Sequence, residues 1–134
     1  MDMDEVQRSI QEDLAQLADP LSQMEYLLAC ARASQGIPPE QRREEDLFPS
    51  CQARTWVITG WDRGLLHIQA DSESFLVKGA LALLCEVYDG RSREEIHTFT
   101  CRLLEDPGFT GRLTGEQRKG LASILERLHE EAAQ

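Results

Sequence analysis

The chain has 134 residues, 41% of them hydrophobic, and carries 24 acidic against 14 basic side chains for a net charge of −10. That length suits one domain, so residues 1–134 are read as a single unit with one core. An acidic surface repels phosphate backbones, which argues against nucleic acid, and no apolar run approaches membrane-spanning length, which argues against a membrane.

The start, Met1-Asp2-Met3-Asp4-Glu5, is acidic and lacks the basic and apolar regions of a signal peptide, so a cytoplasmic location is expected. Val6, Ile10, Leu14 and Leu17 fall on one face and predict an amphipathic helix over 4–17. Asp19-Pro20 breaks it and starts a second helix, with Asp19 as cap and Pro20 at the first position. That helix runs to about Ser34, with Leu21, Met24, Leu27, Leu28 and Ala31 inward and Cys30 as a small core-edge residue. Gly36 ends it. Residues 40–46 are highly charged and read as a solvated turn or loop leading to a short strand near Asp46–Phe48.

Pro49 stops any helix and pushes Phe48 towards an extended shape. Beyond it, Arg54, Trp56 and Ile58 alternate with Thr55 and Val57, the period of a strand over 53–59. Cys51 therefore lies on a short loop at the mouth of a strand. Two roles stay open for it: a thiol presented to a visitor, or a small apolar side chain tucked under a loop. Gly60-Trp61-Asp62-Arg63-Gly64 predicts a five-residue hairpin turn, with Trp61 exposed at its tip, before a strand over 65–70. Trp56 is assigned to the core and His67 to the outer face.

At Asp71-Ser72-Glu73-Ser74 the period changes. Asp71 or Ser72 is expected to cap a helix reaching Tyr88, apolar around most of its circumference and hence central and buried. Gly79 inside it costs about 1 kcal/mol against alanine, which close backbone packing would explain. Ser92 and Glu95 have capping-box spacing for a short helix to Phe99. Cys101, Leu103 and Leu104 are placed in a second short helical piece, 109–113 in a brief connection, and Thr114 at the cap of a last helix with Leu121, Ile124, Leu125 and Leu128 inward. His129 is read as solvated. Helices, a small strand meander and helices again give an α+β domain with helices at both chain ends.

Four cysteines occur, at 30, 51, 85 and 101. A chain of this length and setting needs no disulfide staples, and neither a Cys-x-x-Cys nor a Cys/His zinc spacing is present, so no metal is expected. A thiol hydrolase or transferase needs a base, and none of His67, His97 and His129 has a recognisable signature around it. A carrier needs less: one thiol able to attack sulfur held by a partner and keep it as a persulfide.

Three blocks then carry a resemblance. Ser50-Cys51-Gln52-Ala53-Arg54-Thr55-Trp56 is similar to the Gly-Cys-x-Ser-x-Val/Thr-Trp segment of the SufE family of sulfur-acceptor proteins, with Cys51 on the acceptor position. Asp71-Ser72-Glu73-Ser74-Phe75-Leu76-Val77-Lys78-Gly79 resembles the family's Asp-Ser-x-x-x-x-Val-Lys-Gly, and Arg118-Lys119-Gly120-Leu121 its Arg-x-Gly-Leu. The order and spacing match from about residue 10 onward. Ser50 and Ala53 depart from the family's glycine and serine; Ser50 restricts the loop where glycine would free it.

The resemblance implies a SufE/NifU-like α+β fold with a three-stranded antiparallel sheet. It implies a cysteine persulfide on Cys51, fed by a pyridoxal-phosphate cysteine desulfurase that the chain stimulates, and passed to an iron–sulfur scaffold. The chain itself would need no cofactor and would be a transfer protein rather than a stand-alone enzyme. Gln52, Arg54, Glu73, Lys78 and Arg118 are candidates for partner docking or loop support, with solvation, capping and packing as their alternative roles. A homodimer stays open. The rival reading is an interaction module that keeps the fold without sulfur transfer, which Ser50 favours.

Overall fold

The structure, a computed structural model, describes residues 1–49 and 53–134. Helix α1 (Met3–Ala15) opens on an Asp2–Glu5 capping box. Helix α2 (Pro20–Ala33) starts as expected, with Asp19 accepting from the Ser22 N–H and Pro20 leading the first turn. Leu27 and Ala31 form its buried face, whereas Leu21 is exposed because it sits on the first turn, beyond the contact with the rest of the core. Gly36 follows with φ +59°, and a side chain there would strike the Asp71 carboxylate. Two single 3₁₀ turns, Pro39–Gln41 and Glu44–Asp46, then lead towards the sheet.

Strands β1 (Thr55–Asp62) and β2 (Leu65–Ser72) pair antiparallel, with Trp56 opposite Asp71 and Gly60 opposite His67. Both strands are longer than the alternation suggested. The hairpin turn is the two residues Arg63-Gly64, with φ of 54° and 77°, in place of the expected five. Two left-handed residues make the type I′ turn that matches strand twist, so Gly60 stays inside the strand. Trp61 is half-buried rather than exposed: its indole Nε1 donates to Glu131 Oε1 at 3.1 Å and Arg93 lies 4.0 Å over its ring.

Among the described residues the sheet has two strands, and the expected strand near Asp46–Phe48 is a single bridge, Leu47 to Trp56. The reason is local. Residues 44–46 are spent in the 3₁₀ turn, and Pro49 has no N–H to extend the ladder. The outer edge of β2 is covered by Gly90–Ser92: Leu66 N–H donates to Arg91 O and Gly90 N–H to Leu66 O, each at 2.8 Å.

Helix α3 (Phe75–Tyr88) is the central element, with Val77, Ala80, Leu81, Leu83, Leu84, Val87 and Tyr88 buried. It packs on β2 and on α2, where Gly79 meets the Leu27 backbone. Its cap is Ser74, not Asp71 or Ser72, because both of those continue β2. Helix α4 (Arg93–Thr98) has the Ser92–Glu95 capping box. Cys101 precedes the 3₁₀ turn Leu103–Glu105, and the expected connection at 109–113 begins instead with a one-turn helix α5 (Pro107–Thr110), which Asp106 caps through the Gly108 N–H. Helix α6 (Gly115–Ala132) is capped by Thr114 and buries Leu121, Ile124, Leu125 and Leu128. His129 is half-buried: its Nε2 lies 2.7 Å from the Tyr88 hydroxyl, and burial pushes its pKa down, with His97 as a lesser cause.

Candidate functional site

Ser50, Cys51 and Gln52 lie outside the described residues, so the site is built from the two arms that lead to them, 47–49 and 53–56. These arms meet at a neck. Phe48 N–H donates to Thr55 O at 2.8 Å beside the Leu47–Trp56 bridge. On the other side of β1, Glu73 N–H donates to Arg54 O at 2.9 Å. The first two motif blocks are thus joined by backbone, with Thr55 opposite Ser72.

A chain of hydroxyls completes the junction. Ser74 N–H donates to Ser72 Oγ at 3.1 Å, Ser72 Oγ lies 2.9 Å from Thr55 Oγ1, and Thr55 Oγ1 donates to Ala53 O at 3.0 Å. The carbonyl of Ala53 can only accept, so Thr55 spends its proton there and Ser72 must supply the one between the two hydroxyls. Both hydroxyls are buried.

Beneath the neck sits Asp71, whose side chain is 2% exposed. Its Oδ2 accepts from Ile37 N–H at 2.8 Å and from Arg42 Nη2 at 2.9 Å. Its Oδ1 accepts from Ser72 N–H at 2.8 Å and faces Lys78 Nζ at 3.4 Å. Burial alone would raise its pKa, but the two backbone N–H groups, then Lys78 and Arg42, outweigh it and hold the carboxyl below its usual range. Arg42 also donates through Nε to Ile37 O at 2.9 Å, and its Cζ lies 4.8 Å from the centre of the Trp56 ring. Arg54 reaches the same ring at 5.4 Å.

A second clasp holds the other arm. Arg127 lies 5.9 Å over the Phe48 ring and donates through Nε to Glu131 at 3.0 Å. Glu131 also accepts from Thr59 Oγ1 at 3.0 Å and from Trp61. Burial would raise the Glu131 pKa; the hydrogen bonds from Arg127, Trp61 and Thr59 lower it.

The structure brings Arg54, Glu73 and Lys78 to this junction. Arg54 and Glu73 are exposed, while Lys78 is turned inward onto Asp71. Arg118 is exposed on the first turn of α6. The preceding residue, Gln117, reaches Ser74 Oγ at 3.4 Å, so the third block stands beside the second. Sequence reasoning missed Arg42, hidden in a charged run, and Asp71, read as a cap. The one available signal was Trp56, an aromatic assigned to the core only two residues after Arg54.

The remaining cysteines are half-buried. Cys30 and Cys85 share a shallow groove between α2 and α3 with Tyr26 and Glu86. Burial raises all three thiols, Cys85 to about 12. Among the described residues, no group of three or more His, Cys, Asp or Glu side chains is placed to hold a metal ion. No helix among them is long and apolar enough to cross a membrane.

A family model, SufE, described as the Fe-S metabolism associated domain, matches residues 8–132. The chain belongs to the SufE family. It is 23% identical over 126 residues to an uncharacterized SufE-like protein of Rhizobium etli, a match covering 90% of this chain and 85% of the relative. The solution structure of a hypothetical protein from Thermus thermophilus shares the fold, with a TM-score of 0.70 at 22% identity over 96% of this chain and 93% of that one. As a SufE domain the chain is associated with Fe-S metabolism, and its α+β architecture agrees with the class read from element order.

Proposed function

We propose that this SufE-family chain is a sulfur carrier acting with a pyridoxal-phosphate cysteine desulfurase. The Cys51 thiolate attacks the terminal sulfur of the desulfurase's persulfide. The donor's S–S bond breaks, a new S–S bond forms on Cys51, and the donor leaves as a thiolate that takes up a proton. The sulfur then passes to an iron–sulfur scaffold, and clearing the donor cysteine stimulates the desulfurase. The pyridoxal phosphate stays on the partner, and the carrier works in the cytoplasm without a cofactor of its own.

The observation that carries this reading is the neck: the first two motif blocks, at the open end of the β1–β2 hairpin, converge on the arms leading to the acceptor cysteine, and Trp56 opposes Asp71 there. A thiol enzyme assisted by His67 is disfavoured by the same register. His67 is opposite Gly60, five pairs along the ladder from Thr55, which is roughly 17 Å at the usual rise per residue.

The test is to incubate the protein with desulfurase, pyridoxal phosphate and L-cysteine and weigh it by mass spectrometry. A gain of one sulfur that disappears in Cys51→Ala is expected. No gain with any cognate desulfurase would leave the interaction module as the better reading.

A further inference from the structure

One guanidinium, that of Arg42, does three things at once. It donates to Asp71 Oδ2 at 2.9 Å, donates to Ile37 O at 2.9 Å, and lies 4.8 Å from the centre of the Trp56 ring. Trp56 is 5% exposed and pairs with Leu47, the residue at which the chain enters the Cys51 segment. Cys51 is four residues after Leu47 and five before Trp56. The arm entering the segment and the arm leaving it are therefore registered against a residue whose ring Arg42 lies over.

Asp71 makes this hold rigid. Its two backbone donors, Ile37 and Ser72, fix the carboxylate independently of Arg42, so the guanidinium docks on a preset anchor. Ile37 itself is buried at 1% exposure, which fixes the carbonyl on the other side. A planar, delocalised group is required, because lysine has neither the flat face for the indole nor donors on two separate nitrogens, as Nε and Nη2 of Arg42 supply to Ile37 and Asp71.

We infer that Arg42 is a positioning residue for Cys51, acting through the indole of Trp56 to fix the neck of the acceptor segment. This rests on the sulfur-acceptor reading in one respect only: the reaction served is transfer from a persulfide. That transfer needs the attacking sulfur aligned with the S–S bond it breaks, and misplacement on the scale of an ångström costs orders of magnitude in rate. Arg42 need not touch substrate to matter.

The experiment compares wild type, Arg42→Lys, Trp56→Phe and the double variant. Three readouts are taken: thermal melting, the single-turnover rate of persulfide gain from excess desulfurase, and the rate of Cys51 alkylation by iodoacetamide without a partner. Arg42→Lys is expected to melt within about 5 °C of wild type, since the ion pair with Asp71 survives. Its persulfide gain is expected to slow about 10-fold or more, and its Cys51 alkylation rate to change at least about 2-fold. Because Arg42 acts through Trp56, the double variant should be no slower than the slower single one.

Wild-type rates of transfer and alkylation in a folded Arg42→Lys protein overturn the inference. So do multiplying effects in the double variant, which would mean that Arg42 acts without Trp56. If Trp56→Phe fails to fold, Arg42→Lys alone decides by its rates. If wild type gains no sulfur at all, the sulfur-acceptor reading fails, and the alkylation rates still decide whether Arg42 positions Cys51.

Discussion

Gly79 in α3 packs directly against the carbonyl of Leu27 in α2, and a Cβ at that position would collide with the Leu27 oxygen. The oxygen belongs to a helix backbone and has no room to move. The entropic cost of a mid-helix glycine is thus offset by the close approach of two helices in the core.

Gly79→Ala is therefore expected to destabilise the protein despite alanine's better helix propensity. Propensity alone would add about 1 kcal/mol of stability, while overpacking typically costs about 1–3 kcal/mol and here meets backbone rather than a movable side chain. A net loss of about 2 kcal/mol, read as a lower urea midpoint with unchanged slope, is the expected result. A variant as stable as wild type would show that the two helices can separate freely.

The Asp71 anchor gives a pH signature. Its folded pKa lies below the ordinary value of 3.8, so the stability it contributes is complete above that value and is lost as pH falls through the folded one. Asp71→Asn removes the charge opposite Arg42 and Lys78 and is expected to cost about 3 kcal/mol at pH 7. Between pH 5 and pH 2 the wild type should lose stability faster than Asp71→Asn. Parallel pH curves for the two proteins would mean that the carboxylate is not the group titrating.

Much of the fold was legible in sequence, and the parts that were not have a common cause. The caps Asp19, Ser92 and Thr114 were readable because a cap's partner lies within three residues. Asp71 looked like another cap, since nothing local distinguishes it; its partners Ile37 and Arg42 come from 34 and 29 residues away. Trp61 looked exposed for the same reason, as its partner Glu131 lies 70 residues further on. Cys51 was singled out by its resemblance to a motif, but the neck on either side of it depends on register, which alternation alone leaves free by two residues.

The cysteines should differ in reactivity. Burial raises the thiols of Cys30, Cys85 and Cys101, so their thiolate fractions at neutral pH are small. Brief treatment with iodoacetamide at pH 7 is expected to label Cys51 first, with Cys85 last. Peptide mapping checks the order. In Cys51→Ala, labelling should stay slow until denaturant is added. Early labelling of Cys85 would contradict its burial between α2 and α3.

The Glu131 cluster ties the C-terminal helix to β1 through its carboxylate and through Arg127, whose Nη2 donates to Thr59 Oγ1 at 3.1 Å. Thr59, Trp61 and Arg127 all donate to the carboxylate, and Arg127 in turn lies over Phe48 on the entering arm. Glu131→Ala leaves the half-buried indole N–H of Trp61 without its acceptor and is expected to cost about 1–3 kcal/mol. The two indole N–H resonances separate this effect from general destabilisation. The Trp61 signal should shift and exchange faster with solvent, while that of Trp56, held among Arg42, Arg54 and the core, should stay in place. Equal movement of both signals would mean that the cluster and the neck are one cooperative unit, and that Glu131 reaches the arm at Phe48 through Arg127.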